Sequence, residues 1–483
     1  TGLNSFDFGI TTTLDQSAND ESWGIDNVKL TATSNADNSQ TSSISTQAAY
    51  SSGVQLRDTG SISFNDLDLT NTSSVTAVLV SASASGNAIV SASVDAALRL
   101  ASTFVLNGAG VSSPSHDGAV GWTFTLDNAL VQYLGAGDTI TAIYRISVTD
   151  TAGSTTNQDV TISINGTNDN PSITVSTGSS NTANLTETNS FLSAQGRFTV
   201  RDVDRSNTVS AQVLSFTKTG VTSGISSTDA QLQAMLTLAP AYPRVVLTSS
   251  EVVDQLEWFF NSGSDAFDYL ATGETLTLNY VIRVTDSANI TADSNVTITV
   301  TGTNDGPQVT NGPDSAAFTE SNSTLSTTGT FTVSDIDRTD IVNSSKSLVI
   351  SGSSNRLDPA APTDAELLSM LSLSPTPILS ATQQTNTLTW AFNSNISSPR
   401  DTSFNYLREG DSLILTYTIT ASDDDTTPLS ASSTVTITIT GTNDQPVITS
   451  LNSIGYFENV INISSQLIDG DITLTEFDSA DYA

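Results

Sequence analysis

One phrase is written three times in this chain. It reads "GTNDNP" at Gly166–Pro171, "GTNDGP" at Gly302–Pro307 and "GTNDQP" at Gly441–Pro446, at intervals of 136 and 139 residues. The spacing extends to other landmarks. Gly60, Gly196 and Gly329 each open a segment ending in Asp-x-Asp: "GSISFNDLD", "GRFTVRDVD" and "GTFTVSDID". From the second Asp of each it is 54, 54 and 53 residues to Trp122, Trp258 and Trp390. Tyr133, Tyr269 and Tyr406 follow; 11 residues later come Tyr144, Tyr280 and Tyr417, and six beyond those Asp150, Asp286 and Asp423. A repeat this long, with its landmarks in register, requires tandem copies of one domain-sized unit.

Within each copy, segments such as "VTISI", "TLTLNYVIRV" and "TVTITIT" alternate apolar and polar residues between Gly, Asn and Asp turns. Period-two alternation of β-branched residues predicts half-buried antiparallel strands. The fold class is therefore all-β: tandem immunoglobulin/cadherin-like antiparallel β-sandwich domains in an extended rod, each with one short helix. That helix is signalled by "STDAQLQAML" and "PTDAELLSML", where Thr228 and Thr363 precede Gln231 and Glu366 by three residues in the capping-box pattern. "SVDAALRLA" is the weaker first version. The helix is expected to pack Leu232, Met235 and Leu236, or Leu367, Met370 and Leu371, on the sheet edge as a structural cap, with a partner-binding helix as the competing reading. The Trp and Tyr positions predict core packing, against a carbohydrate platform as the alternative. "LATGETLTLNY" resembles the tyrosine corner of immunoglobulin-like sandwiches.

Fifty acidic residues oppose fifteen basic ones, a net charge of -35. That excess argues against nucleic acid or an anionic membrane as partner and calls for screening salt or bound cations. Without cysteine there is neither a disulfide framework nor a thiol nucleophile. No apolar run reaches membrane-spanning length and no signal peptide opens the chain, so a fragment of a longer protein is expected. An enzyme is not expected. His116, the single histidine, lies in the loop "SPSHDGAVG" of one copy only, and "RDTG" at Arg57–Gly60 lacks the second motif that paired-carboxylate proteolysis requires. Neither a phosphate-cradling Gly-rich loop nor a metalloprotease His pair occurs.

The Asp phrases carry the chemistry. A hard divalent cation such as Ca²⁺ takes six to eight oxygen ligands, and Asp-x-Asp at a strand end lets two carboxylates turn toward one ion. The competing reading is solvated turns without metal. A Glu precedes Asp-x-Asp by 15 residues in two copies, as Glu187 and Glu320. In the linker, Gly permits the turn, Asn and Asp offer oxygens, and Pro sets φ for an extended start to the next copy.

At these residues the sequence resembles two repeat families. The order Glu, Asp-x-Asp, "VTD", then "NDNP" is similar to the cadherin repeat. "WFFNSGSDAFDYLATGETLTLNYVIRVTD…VTITVTGTNDGP" resembles the VCBS repeat of large, RTX-type bacterial surface adhesins. The resemblance covers about residues 35–446. It implies Ca²⁺ between successive domains, held by the upper domain, the linker, and the Asp-x-Asp and late Asp of the lower domain. Carried over, the first junction would use Asp138, Asn168, Asp169, Asp202, Asp204 and Asp286. The second would use Glu187, Glu274, Asn304, Asp305, Asp335, Asp337 and Asp423. The third would use Glu320, Glu409, Asp411, Asn443, Asp444, Glu476 and Asp478. The first copy departs by carrying Ser51 at the Glu position, and the acid that opens the cadherin linker is Gly166, Gly302 and Gly441 here. Fewer ions per junction than in cadherins, one or two, follow.

The expected division is 1–33, the tail of a preceding jelly-roll-like β domain containing Trp23; 34–169, 170–305 and 306–444, the three repeats; and 445–483, the start of a fourth cadherin-like domain. The function expected is a calcium-stiffened extracellular rod of a bacterial surface adhesin, a spacer in adhesion and biofilm. Its partners are neighbouring domains of the same long chain. The alternatives are a subunit of a filament or sheath that self-assembles by strand addition, and a module that binds cell-surface glycans or proteins.

Overall fold

The computed structural model describes residues 40–46, 53–65, 73–108, 117–151, 153–240, 245–321, 323–445, 447–449 and 473–475. The expectations for 1–33 with Trp23, for Ser51, the first Asp-x-Asp, His116, Glu476 and Asp478, and for most of 445–483 lie outside the described residues.

The first copy contains β1 (Gln40–Ser45), β2 (Gln55–Asn65), β3 (Ser74–Ser85), α1 (Ala92–Leu98), β4 (Phe104–Asn107), β5 (Asp117–Asp127), β6 (Thr139–Thr149) and β7 (Thr155–Asn165). The second has β8 (Ser172–Val175), β9 (Thr182–Thr186), β10 (Ser193–Arg201), β11 (Val209–Gly220), α2 (Asp229–Ala234), β12 (Leu236–Ala239), β13 (Val245–Leu247), β14 (Val253–Asn261), β15 (Thr275–Asp286) and β16 (Thr291–Thr301). The third has β17 (Gln308–Thr310), β18 (Asp314–Thr319), β19 (Ser326–Ser334), β20 (Asn343–Gly352), α3 (Asp364–Ser369), β21 (Leu371–Ser374), β22 (Thr385–Asn393), β23 (Ser412–Ser422) and β24 (Ser430–Thr440). β25 (Val447–Thr449) and β26 (Thr473–Thr475) pair beyond it.

Each copy folds its strands into two facing sheets: β1-β7-β6-β3 with β2-β5-β4, then β12-β14-β10-β8 with β13-β11-β15-β16-β9, then β17-β19-β22-β21 with β18-β24-β23-β20. Three hydrophobic cores, sharing no residue, fill the sandwiches. One pairing departs from the all-antiparallel expectation. β1, β9 and β18 lie parallel to β7, β16 and β24, the last strands of their copies. Alternation along a strand is blind to direction, so this was not legible in the sequence. The consequence is architectural: a strand near the start of each copy that runs parallel to its last strand carries the chain in at one end of a sandwich and out at the other, which is what head-to-tail stacking requires.

The repeated aromatics are core residues. Trp122, Trp258, Trp390, Tyr144, Tyr280 and Tyr417 are all buried. Each late Tyr hydroxyl donates to the carbonyl of a helical leucine: Tyr144 to Leu98 at 2.7 Å, Tyr280 to Leu232 at 2.8 Å and Tyr417 to Leu367 at 2.6 Å. The short helix is thus tied down onto the sandwich, as a structural cap. Both capping boxes form. Leu236 and Leu371 are not helical, however; the helices stop at Met235 and Met370 and these leucines begin the strands that follow.

The repeated glycines lie inside their strands rather than opening them, and also acquire a reason. Gly60, Gly196 and Gly329 sit directly across from Trp122, Trp258 and Trp390, and a Cβ on them would lie 2.5, 2.6 and 2.4 Å from the indole. The indole needs the space that a side chain would take. Gly196→Ala is therefore expected to destabilise the second sandwich by about 1–3 kcal/mol, the usual cost of overpacking, as a lower denaturant midpoint for the unfolding step followed by Trp fluorescence.

Candidate metal centres at the domain seams

The linker glycine acts differently from its expected role of permitting a turn. A Cβ on Gly166, Gly302 or Gly441 would strike loop carbonyls of its own domain, Gly135 O at 2.2 Å, Leu270 O at 2.1 Å and Arg408 O at 2.3 Å. The last strand therefore packs flush on that loop. The next residue, Thr, is fixed at once: the Thr303 N–H donates to Glu187 Oε1 at 3.0 Å and the Thr442 N–H to Glu320 Oε1 at 2.8 Å, each with a further bond from the Thr hydroxyl. In the first copy Thr167 N–H donates instead to Thr46 Oγ1 at 2.9 Å. Thr46, Glu187 and Glu320 each follow the parallel strand and each donate N–H to the last strand's carbonyl. Thr46, not Ser51, is thus the first-copy counterpart of the glutamates, because that copy has five more residues between this position and Asp-x-Asp.

At the first seam, Asp169 N–H donates to Asp204 Oδ2 at 2.7 Å and Asp204 N–H to Asp202 Oδ1 at 3.0 Å. Asn168 Nδ2 donates to Asp286 Oδ2 at 2.9 Å and receives Asn207 Nδ2 at 2.7 Å on its own carbonyl. The linker is thereby laced to two separate parts of the second sandwich, the loop of Asp204 and Asn207 and the strand end at Asp286. Asp169, Asp202, Asp204, Asn207 and Asp286 are buried, yet Asp202 Oδ2 and Asp204 Oδ1 have no hydrogen-bond partner. Burial, with Asp169, Asp202 and Asp286 alongside, pushes the Asp204 carboxyl up to about 7; burial with Asp286 and Asp169 pushes Asp202 up to about 6.

The second seam repeats this lacing with more charge. Asp305 N–H donates to Asp337 Oδ2 at 2.7 Å, Asp337 N–H to Asp335 Oδ1 at 3.1 Å, and Asn304 Nδ2 to Asp423 Oδ2 at 3.2 Å. Asp340 stands where the first seam has Asn207, and Asp335, Asp337 and Asp340 bring carboxylate oxygens within 4.8 Å of one another, all buried. Burial pushes Asp337 up to about 8, reinforced by Asp340, Asp305 and Asp335; Asp340 rises to about 7 and Asp335 to about 6 for the same reasons. The buried Glu187 lies in the field of Asp305 and Asp268, and burial raises its pKa too. A cleft of about 390 Å³, lined among others by Asp268, Asp305 and Asp335, opens between the two sandwiches.

Asp268 and Asp340 escaped the sequence reading. Asp268 follows Phe267, a buried residue held at φ 62°, and Asn405 follows Phe404 at φ 68° in the third copy. Left-handed backbone at a bulky residue is costly and persists where the surroundings enforce it. Because the corresponding residues are Gln132, Asp268 and Asn405, no repeated acid marked the position.

Asp138, Glu274 and Asp411, expected on the upper domain's side of the seams, each hold a turn of their own domain. Asp138 Oδ2 accepts Gly135 N–H at 3.2 Å and its Oδ1 the Asn87 N–H at 2.8 Å. Glu274 accepts Ala271 N–H at 3.2 Å, and Asp411 the Arg408 N–H at 3.3 Å. All three close the turn before the next strand, and Glu409 is exposed on that turn. At the third seam Glu320, Asn443 and Asp444 sit together at the end of the third sandwich, with Glu320 Oε2 buried and unpartnered.

Orphaned oxygens mark the seam acids; among the described residues one acid away from the seams, Asp58 of β2, also keeps a buried unpaired oxygen. Asp265, also buried, has both oxygens paired, accepting Phe267 N–H at 3.2 Å from its own loop and the Ser226 hydroxyl at 3.2 Å from the segment before α2. By contrast Glu187, Asp202, Asp204, Asp305, Asp335, Asp337 and Asp340 each keep one carboxylate oxygen buried and unpaired. A buried anion in that state costs several kcal/mol unless a proton or cation meets it. The donor set is wholly oxygen, without a cysteine in the chain, which suits a hard cation rather than zinc or copper.

No family model matches the chain, and no curated protein matches it. Solved structures that it is similar to include a protocadherin gamma B7 EC3–6 cis-dimer structure (13% identity, TM-score 0.32, covering 86% of this chain and 75% of that one). Another is mouse cadherin-23 EC22–24, at 12% identity and TM-score 0.30, covering 84% and 96% of the two chains.

Proposed function

We propose that this chain is a stretch of an extracellular rod whose sandwich domains are locked end to end by Ca²⁺, serving on a bacterial surface as the spacer that holds an adhesive domain at a distance. The observation that carries the reading is the convergence of linker and lower-domain acids at the first and second seams, joined at the second by Glu187 and Asp268 of the upper domain, with buried oxygens left unpaired. At the first seam Asn168, Asp169, Asp202, Asp204, Asn207 and Asp286 would hold the ion. At the second, Asn304, Asp305, Asp335, Asp337, Asp340 and Asp423 would do so, with Glu187 and Asp268 adding a further position. The third would use Glu320, Asn443 and Asp444 from above. What the cation supplies is positive charge between like-charged groups. The residues supply the geometry: linker Asn and Asp are already hydrogen-bonded to the lower sandwich, so a filled site fixes the angle between neighbours.

The two seams are unequal. Thr46 and Gln132 replace Glu187 and Asp268, and Asn207 replaces Asp340, so the first seam holds fewer ions and more weakly. Calorimetric titration of metal-free protein is expected to resolve at least two affinity classes, with Asp204→Asn removing the weaker and Asp337→Asn the tighter. Small-angle scattering gives the mechanical test: withdrawing Ca²⁺ should shorten the maximum dimension and broaden the distance distribution. Unchanged dimensions and melting temperature on withdrawal would end the calcium reading.

A further inference from the structure

The same outer sheet face can be compared across the three copies, and one copy is unlike the others. In the second sandwich the outward positions of β10 and β14 carry Gln195, Arg197, Gln255, Glu257 and Phe259. The paired positions of β19 and β22 carry Thr328, Thr330, Thr387, Thr389 and Ala391, and those of β2 and β5 carry only Thr, Ser, Gly and Ala. Small β-formers are what a solvated face needs. Long amides, an ion pair and an exposed ring are not needed for the fold, since two copies do without them.

These residues also line a groove. The crossover Ser176–Ser179, with Gly178 at φ 77°, rises beside β10 and is pinned there by Arg197 N–H donating to Ser179 Oγ at 2.8 Å. Between this wall and the floor of Gln195, Gln255, Glu257 and Phe259 lies a cavity of about 310 Å³, the lower end of the range for small-molecule sites. We propose that this groove binds a neutral saccharide, a ligand class distinct from the seam cations.

The lining chemistry selects that class. Arg197 Nε lies 2.9 Å from Glu257 Oε1, so the one cation here is already neutralised and offers no net attraction to phosphate, sulfate or an acidic sugar. The paired fork still has spare N–H donors and carboxylate lone pairs, and Gln195 and Gln255 can each donate and accept, matching hydroxyls that do both. Phe259, 37% exposed, gives a ring face for the C–H side of a sugar. A protein partner is disfavoured by size, since a stable interface buries on the order of 1,000 Å² or more.

The test is a glycan array followed by saturation-transfer NMR on the full chain in calcium, with neutral hexose and N-acetylhexosamine oligosaccharides as probes. The comparison is a variant carrying the third copy's residues: Gln195→Thr, Arg197→Thr, Glu257→Thr and Phe259→Ala. That face already exists in a folded copy, so the melting temperature should hold while binding falls at least about tenfold; Phe259→Ala alone should weaken it by a smaller factor. Failure to bind any neutral glycan, equal binding by the four-site variant, or binding of acidic glycans only would overturn the proposal. None of these outcomes touches the calcium seams, whose readouts are scattering and melting.

Discussion

Asp337→Asn is expected to raise the melting temperature of the metal-free protein and to lower that of the calcium-loaded protein. The opposite signs follow from one cause. Burial and three neighbouring acids push the Asp337 carboxyl up to about 8, so without a cation an ionised Asp337 is unfavourable in the folded state. Asn removes the charge and keeps the one structural contact, because its carbonyl can still accept the Asp305 N–H that Asp337 Oδ2 accepts at 2.7 Å. With Ca²⁺ present the ledger reverses: a carboxylate ligand has become a neutral amide, and ligand charge is a main determinant of affinity for this ion. Stabilisation by bound ion falls with affinity as RT ln(1 + [L]/Kd), about 1.4 kcal/mol per tenfold loss at saturation, a shift of several degrees for a domain of this size. Asp204→Asn should repeat the pattern less strongly at the first seam, where the carboxyl rises only to about 7. The control is Asp265→Asn, which loses a hydrogen-bonding arrangement in which both oxygens are used and should destabilise with or without calcium. If Asp337→Asn moves both melting temperatures in one direction, Asp337 is an ordinary structural acid and the seam is not a metal centre.

How much of this was legible beforehand depended on whether a signal was periodic. Alternation predicted the sheets, and the shared spacings of Trp258 and Tyr280 placed both in the core, because a large residue at an inward strand position has nowhere else to go. The capping boxes at Thr228 and Thr363 were local and therefore readable. The seam was half readable: Asp202, Asp204, Asp335, Asp337 and the linker Asn-Asp pairs recur in register, so the cluster could be anticipated from its lower side. Its upper side was readable only in part, through the 15-residue spacing that singles out Glu187 and Glu320. Asp268 has no acidic counterpart in the other copies, and the insertion between Thr46 and the first Asp-x-Asp shifted the counting by five residues. Asp138, Glu274 and Asp411 recur as faithfully as the Asp-x-Asp pairs, and each accepts N–H groups of the turn before the next strand; recurrence reports that a position matters, and closing a turn matters as much as holding an ion. The glycines show the same limit. Gly60, Gly196 and Gly329 recur because of an indole across the sheet, and Gly302 because of a carbonyl, neither of which is sequence-local.

Calcium binding is expected to release protons near pH 6.5 and to release none near pH 9. In the metal-free protein five seam carboxyls have folded-state values pushed up to about 6, 7, 6, 8 and 7: Asp202, Asp204, Asp335, Asp337 and Asp340. In the unfolded chain each would titrate near 3.8. Between those limits the folded state binds more protons than the unfolded one, so stability falls as pH rises. The contribution is fully present below about pH 4 and is lost as pH rises through the folded values of about 6 to about 8. Surface acids paired with arginine, such as Asp159 and Asp293, have lowered values and act in the opposite direction, but only at the acid end. Metal-free protein should therefore melt at a higher temperature at pH 5.5 than at pH 8. A cation must displace the bound protons, so affinity should rise over the same interval and level off above it. Calorimetry at pH 6.5 in two buffers of different ionisation enthalpy measures the released protons directly, and depleting metal with a resin avoids a chelator that itself titrates. Buffer-independent heats at pH 6.5 would mean that the seam carboxylates are already ionised and solvated, and acids in that condition have no unmet charge for calcium to lock.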